Sequence, residues 1–156
     1  MSDKNNFTFK NMIEFFSGIA VFLGLIFVGL ELRHNTEAVE AATFQSLTDA
    51  SNSYILTIAT NTETLRTYNE GHADLSSLTE LDKARFFMLE RAFWVRMQNV
   101  YSHWKRGTLS DQDWHLYNAV ICDHRSVSKT TIATFKDHKH ILIPEFSQLV
   151  EECWKR

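Results

Sequence analysis

Seven histidines are the first residues here that could do chemistry, and the chemistry they suggest is metal binding. His138-x-His140 is the tightest pair, with Asp123, His124 and Asp137 near it in sequence. A metal site needs three or four donors that converge, usually at helical spacing or in a Cys/His framework. On a helix, residues two apart point about 200° apart and cannot share one ion. Only an extended or turning backbone would unite them. The spacing favours surface histidines, so neither a metal nor another cofactor is expected.

Carboxylates and thiols offer no stronger pattern. A di-iron bundle would present Glu-x-x-His pairs on two inward helix faces, and the chain does not offer two. Glu151-Glu152 reads as a solvated face. Cys122 and Cys153 are the only cysteines, too few for a disulfide framework. Free, partly buried thiols are the expected state, with one Cys122–Cys153 bridge as the alternative in an oxidising compartment. No histidine adjoins either thiol to activate it. There is no G-x-S-x-G, no phosphate-binding glycine loop and no dinucleotide fingerprint. No enzyme is expected.

The elements that would position any site are helices. Five Gly and one Pro in 156 residues argue against β-rich or disordered architecture. Twelve Phe, four Trp and four Tyr can fill a core. A net charge of −3 argues against a nucleic-acid binder, which would need a basic face to replace phosphate counterions, so no nucleic-acid partner is expected. The expected fold is all-α.

Residues 12–32, MIEFFSGIAVFLGLIFVGLEL, dominate the layout. Between Glu14 and Glu31 lie sixteen uncharged residues, and a helix over 12–32 would span roughly 31 Å, a bilayer's hydrocarbon thickness. The exit through Val28-Gly29-Leu30-Glu31 is not a small-residue cleavage site. A soluble helix of this length would show a polar face, which Ser17 and three Gly do not supply. A membrane span is expected, with Ser17, Ala20 and Gly24 on one face as candidates for helix association. Lys4 and Lys10 on one side against Arg33 on the other lean toward a cytoplasmic amino terminus. Arg33, His34 and Asn35 form the membrane-exit junction, among headgroups or paired between protomers.

No Gly or Pro occurs between Gly29 and Gly71, so one helix is expected from about residue 11 to 60. Phe44, Leu47, Ser51, Tyr54 and Ile58 recur at intervals of three and four along its second half. Asn61 is placed to cap the next helix, and Gly71 to end it. Thr79 opens a long helix with Phe86, Phe93, Met97, Val100 and Trp104 on one face, closed at Lys105-Arg106-Gly107. Arg91, Gln98 and Asn99 on that helix point to solvent or, if buried, fix helix pairing. Ser110 begins the next helix, burying Trp114, Tyr117 and Ile121. A weaker segment near 130–139 buries Ile132 and Phe135. Pro144 starts the last, with Phe146, Leu149, Val150 and Cys153 facing in. The organisation is therefore a tail over 1–11, a span over 12–32 and an antiparallel helical bundle over 33–156.

The junction Gly29-Leu30-Glu31-Leu32-Arg33-His34-Asn35-Thr36-Glu37-Ala38 resembles that of a widespread group of small, uncharacterised bacterial proteins with an amino-terminal membrane helix and a helical domain. Residues 91–114, RAFWVRMQNVYSHWKRGTLSDQDW, are similar to their aromatic-rich helix and turn, and Ile143-Pro144-Glu145-Phe146 to their closing turn. The resemblance implies this layout in the bacterial inner membrane and brings no established activity with it. Function is expected to be that of a membrane-anchored, self-associating scaffold or interaction module. Its partners would be the bilayer, further copies and a protein. Alternatives are a subunit of a small channel or transport assembly, or a membrane-tethered enzyme.

Overall fold

A computed structural model describes residues 3–127 and 129–155. It is all-α, with no strand among the described residues. Helix α1 runs Asp3–Ala59, α2 Thr62–Ala73, α3 Glu80–Lys105, α4 Asp111–Val127, α5 Lys129–His138 and α6 Pro144–Cys153. Short 3-10 turns at Leu75–Ser77 and Lys139–Ile141 precede α3 and α6. The chain divides into two units, one ending at Val39 and the other beginning at Glu40.

In the first unit every residue from 11 to 39 is exposed, including Phe15, Phe22, Leu25 and Phe27 at 64–67%. Helix α1 is long and apolar enough to cross a membrane, and its helical backbone continues through Gly29 and Ala38 without a break. Thr36 closes back on the Leu32 carbonyl at 2.9 Å, and Arg33 pairs with Glu37 one turn on at 2.9 Å.

The second unit holds the core. Leu47 and Ile58 of α1 are buried and Phe44, Ser51 and Tyr54 partly so, which follows the expected stripe. Helix α3 is the centre, packing against α2, α4 and α5. Its Phe86, Phe93, Trp94, Met97 and Val100 are buried with Ile121, Phe135, Phe146 and Val150 from the surrounding helices. The start signals act as expected. The Asn61 side chain accepts from Thr64 N–H, Thr79 from Asp82 N–H and Ser110 from Asp113 N–H. Gly107 closes α3 at φ +71°, a left-handed conformation that glycine adopts without a Cβ penalty.

Three expectations fail for physical reasons. Gly71 does not end its helix: α2 continues to Ala73 and Asp74 N–H donates to the Glu70 carbonyl. Glycine is instead required by close packing, because a Cβ there would lie 2.4 Å from Phe86 Cδ2. Gly71→Ala should destabilise by about 1–3 kcal/mol through overpacking, outweighing the roughly 1 kcal/mol it gains in helix propensity; urea titration checks this. The cysteines are not free thiols, since Cys122 of α4 and Cys153 of α6 are bridged. Finally, the histidines are not all on the surface: His72, His124 and His138 are buried. Of the polar residues on α3, Arg91 and Asn99 are exposed, while the Gln98 Oε1 accepts the Ile143 N–H ahead of α6.

Candidate metal centre

Glu90 lies one turn after Phe86 and just before Phe93, in the core stripe of α3, so its carboxylate is carried inward with no exposure at all. Charges are buried only when paired or bound to metal. His72 reaches it from α2, placed by the close α2–α3 approach at Gly71, and His124 reaches it from α4, three residues after the buried Ile121. Both imidazoles are under 10% exposed.

The three donors converge. His72 Nε2 lies 3.5 Å from Glu90 Oε1, and His124 Nε2 lies 3.6 Å from the same oxygen. All three donor atoms fall within 4.8 Å of one another, and none has a hydrogen-bond partner. Separations of 3.5–3.6 Å are too long for N–H···O bonds. They are close to what an ion would impose: a tetrahedral zinc with bonds of about 2.0–2.1 Å holds its donors roughly 3.3–3.4 Å apart. Partnerless buried atoms occur elsewhere, at Trp94 Nε1 and Ser147 Oγ, but neither group is a metal donor of this kind.

Two of the triad's other atoms, His72 Nδ1 and Glu90 Oε2, are held by helix α5. His72 Nδ1 is 3.1 Å from Thr131 Oγ1, and Thr134 Oγ1 donates to Glu90 Oε2 at 3.1 Å. With an ion on Nε2, the His72 Nδ1–H donates to Thr131, the outer-sphere contact that fixes the tautomer of a metal-bound imidazole. Burial pushes the His72 imidazole below the ordinary histidine range; the Glu90 carboxylate pulls it upward and His124 lowers it further. A neutral ring with a free lone pair is the form that binds metal. The walls are aromatic: Phe93 stacks on His124 at 3.9 Å, Phe86 meets His72 edge-on at 5.1 Å, and Tyr68 meets it at 4.4 Å. Burial first, and the Glu90 charge second, push the Tyr68 phenol up to about 12. The set is His2Glu, which would supply a zinc ion with three protein ligands, between walls of Phe86, Phe93 and Tyr68.

The pair singled out in the sequence does not converge. His138 is buried with its Nδ1 2.7 Å from the Thr134 carbonyl, while exposed His140 has its own Nδ1 2.7 Å from the Asp137 carbonyl. Of the other expected sites, Ser17, Ala20 and Gly24 are exposed on α1, as are Arg33, His34 and Asn35. A Cβ at Gly24 would meet nothing within 4 Å, so Gly24→Ile leaves the protomer intact. If copies associate through Ala20 and Gly24, the substitution should lower the oligomeric state in detergent; light scattering reads the change. The triad escaped sequence reasoning because its members stand eighteen and thirty-four residues apart and share no motif. A usable signal exists, since Glu90 and His124 each interrupt an apolar helix face. Comparison with protein-family models, curated proteins and solved structures finds no match.

Proposed function

We propose that the chain is a single-pass membrane protein whose helical domain holds one divalent metal ion, zinc by its donor set, and serves as a metal-stabilised, self-associating interaction module. The observation that carries the metal is the trio of buried, mutually facing donor atoms without partners. Enclosure by Phe86, Phe93 and Trp94 favours a resident ion that ties α2, α3 and α4 together over one exchanging with substrate. This is why a scaffold is preferred to an enzyme.

The anchor rests on the exposed apolar stretch of α1, a contiguous patch far larger than soluble monomers leave in water. The Cys122–Cys153 bridge supports placing the domain on the exported side, where disulfides persist, in keeping with the lysines before the span.

The test is metal content. Full-length protein in neutral detergent, stripped with chelator and dialysed against zinc, should retain one equivalent by mass spectrometry. His72→Ala, His124→Ala and Glu90→Gln should each reduce retention at least tenfold, and exposed His140→Ala should not. Retention of no metal, with only an ordered water bridging the donors, would refute the reading.

A further inference from the structure

We propose that the groove between the second half of α1 and the middle of α3 binds a single-chain amphiphile with an anionic head, the chemistry of an ionised fatty acid. The inference is independent of the metal centre.

Arg96 is the reason. It is partly buried, with its guanidinium carbon 4.8 Å over the Tyr54 ring and 5.6 Å from the Phe93 ring. Among the described residues its only hydrogen bond runs from Nη1 to Ser51 Oγ, at 2.6 Å. No carboxylate among the described residues pairs with it, and its Nε is buried without an acceptor. Burial lowers its pKa, and only neighbouring tyrosines oppose that. Arg66 and Arg85, by contrast, meet the buried Asp82 carboxylate directly. A partly desolvated guanidinium without a carboxylate partner is a place where an anion from outside would be stabilised.

The space beside it suits such a visitor. A cavity of about 690 Å³ opens along the two helices, lined by Arg96 and Arg106 and by no acidic residue. Its size falls within the usual range for small-molecule sites. Ala50, Leu89, Ala92 and Val95 supply an apolar floor. Gln98, whose oxygen is occupied by the Ile143 N–H, keeps its NH2 as a donor in the same lining. One end of the ligand must therefore be anionic, and the planar guanidinium fork matches a carboxylate. The remainder must be apolar.

The full-length protein in neutral-lipid nanodiscs is irradiated with a dodecanoate carrying a terminal diazirine, and with the matched dodecylammonium probe. Labelled peptides are then mapped. Dodecanoate should label residues 50–57 and 89–106, be displaced by unlabelled dodecanoate, and label at least tenfold more than the ammonium probe. Arg96→Gln should cut labelling tenfold. Val95→Glu, at a position 42% exposed and safe for folding, should do the same by placing a carboxylate in the groove. Equal labelling by the cation, unchanged labelling in Val95→Glu, or label confined to residues 12–32 would overturn the proposal. Displacement by inorganic phosphate at the same concentration would overturn the amphiphile in favour of a bare anion site.

Discussion

Saturating zinc should raise the thermal midpoint of the helical domain by about 10–15 °C, and Glu90→Leu should erase that rise while leaving the metal-free protein as stable as before or more so. An ion that binds only the folded state stabilises by RT ln(1 + [L]/Kd), about 4 kcal/mol at a thousandfold excess over Kd. For a domain of this size each kcal/mol moves the midpoint by roughly 3–5 °C. The Glu90 variant separates a binding role from a packing role. A buried carboxylate kept only for stability would make its loss costly. Replacing buried charge with an apolar side chain of similar volume is often neutral or stabilising, by up to about 1–4 kcal/mol. Thr134 can spare the acceptor because its hydroxyl also lies 3.1 Å from the Thr130 and Thr131 carbonyls. Opposite responses with and without zinc, read by circular dichroism, would show a core that gives up stability in order to hold a cation.

Replacing both cysteines by serine should cost about 3–4 kcal/mol and lower the midpoint by about 10–15 °C. The bridge closes a loop of 31 residues that contains α5 and both its connections, so the unlinked unfolded chain gains considerable freedom. The loss should also reach the metal. Cys122 stands two residues before His124 on α4, and without the link to α6 that helix is less firmly held. Zinc affinity in the double variant should therefore fall, whereas Gly71→Ala disturbs the other imidazole-bearing helix from the α2 side. Thermal melts with and without zinc, on oxidised and variant protein, measure both effects.

How much of this was legible in the sequence depends on whether the signal is local. Caps at Asn61, Thr79 and Ser110 and the proline at the first position of α6 act within one turn, and each starts a helix where the residues indicate. The core stripe of α3 repeats along one element and could be read there. Gly71 misled because glycine serves two ends, and only the Phe86 ring beside it says which applies. Tyr117 and Leu149 remain partly exposed because helical spacing gives a face but not the depth to which a neighbour covers it. The candidate centre was invisible for a deeper reason. Its donors come from three helices and its outer hydrogen bonds from a fourth, so no window of sequence contains the site. What the sequence did contain was the anomaly of Glu90 between Phe86 and Phe93. The groove at Arg96 was hidden in the same way: whether an arginine has a counter-ion is decided by helices far away in the chain.

The aromatic rings around the centre have a use of their own. Trp94 is fully buried with its indole 5.5 Å from the His124 ring and 4.7 Å from Phe135, so its emission should respond to any change in the packing around that ring. Trp104 and Trp114 stack at 4.7 Å and 10°, close enough to couple as an exciton pair across the turn between α3 and α4. The protein thus carries two native optical probes, one beside the candidate centre and one at the turn between α3 and α4. If the centre takes an ion, binding should be visible in the protein's own tryptophan signal, without a dye.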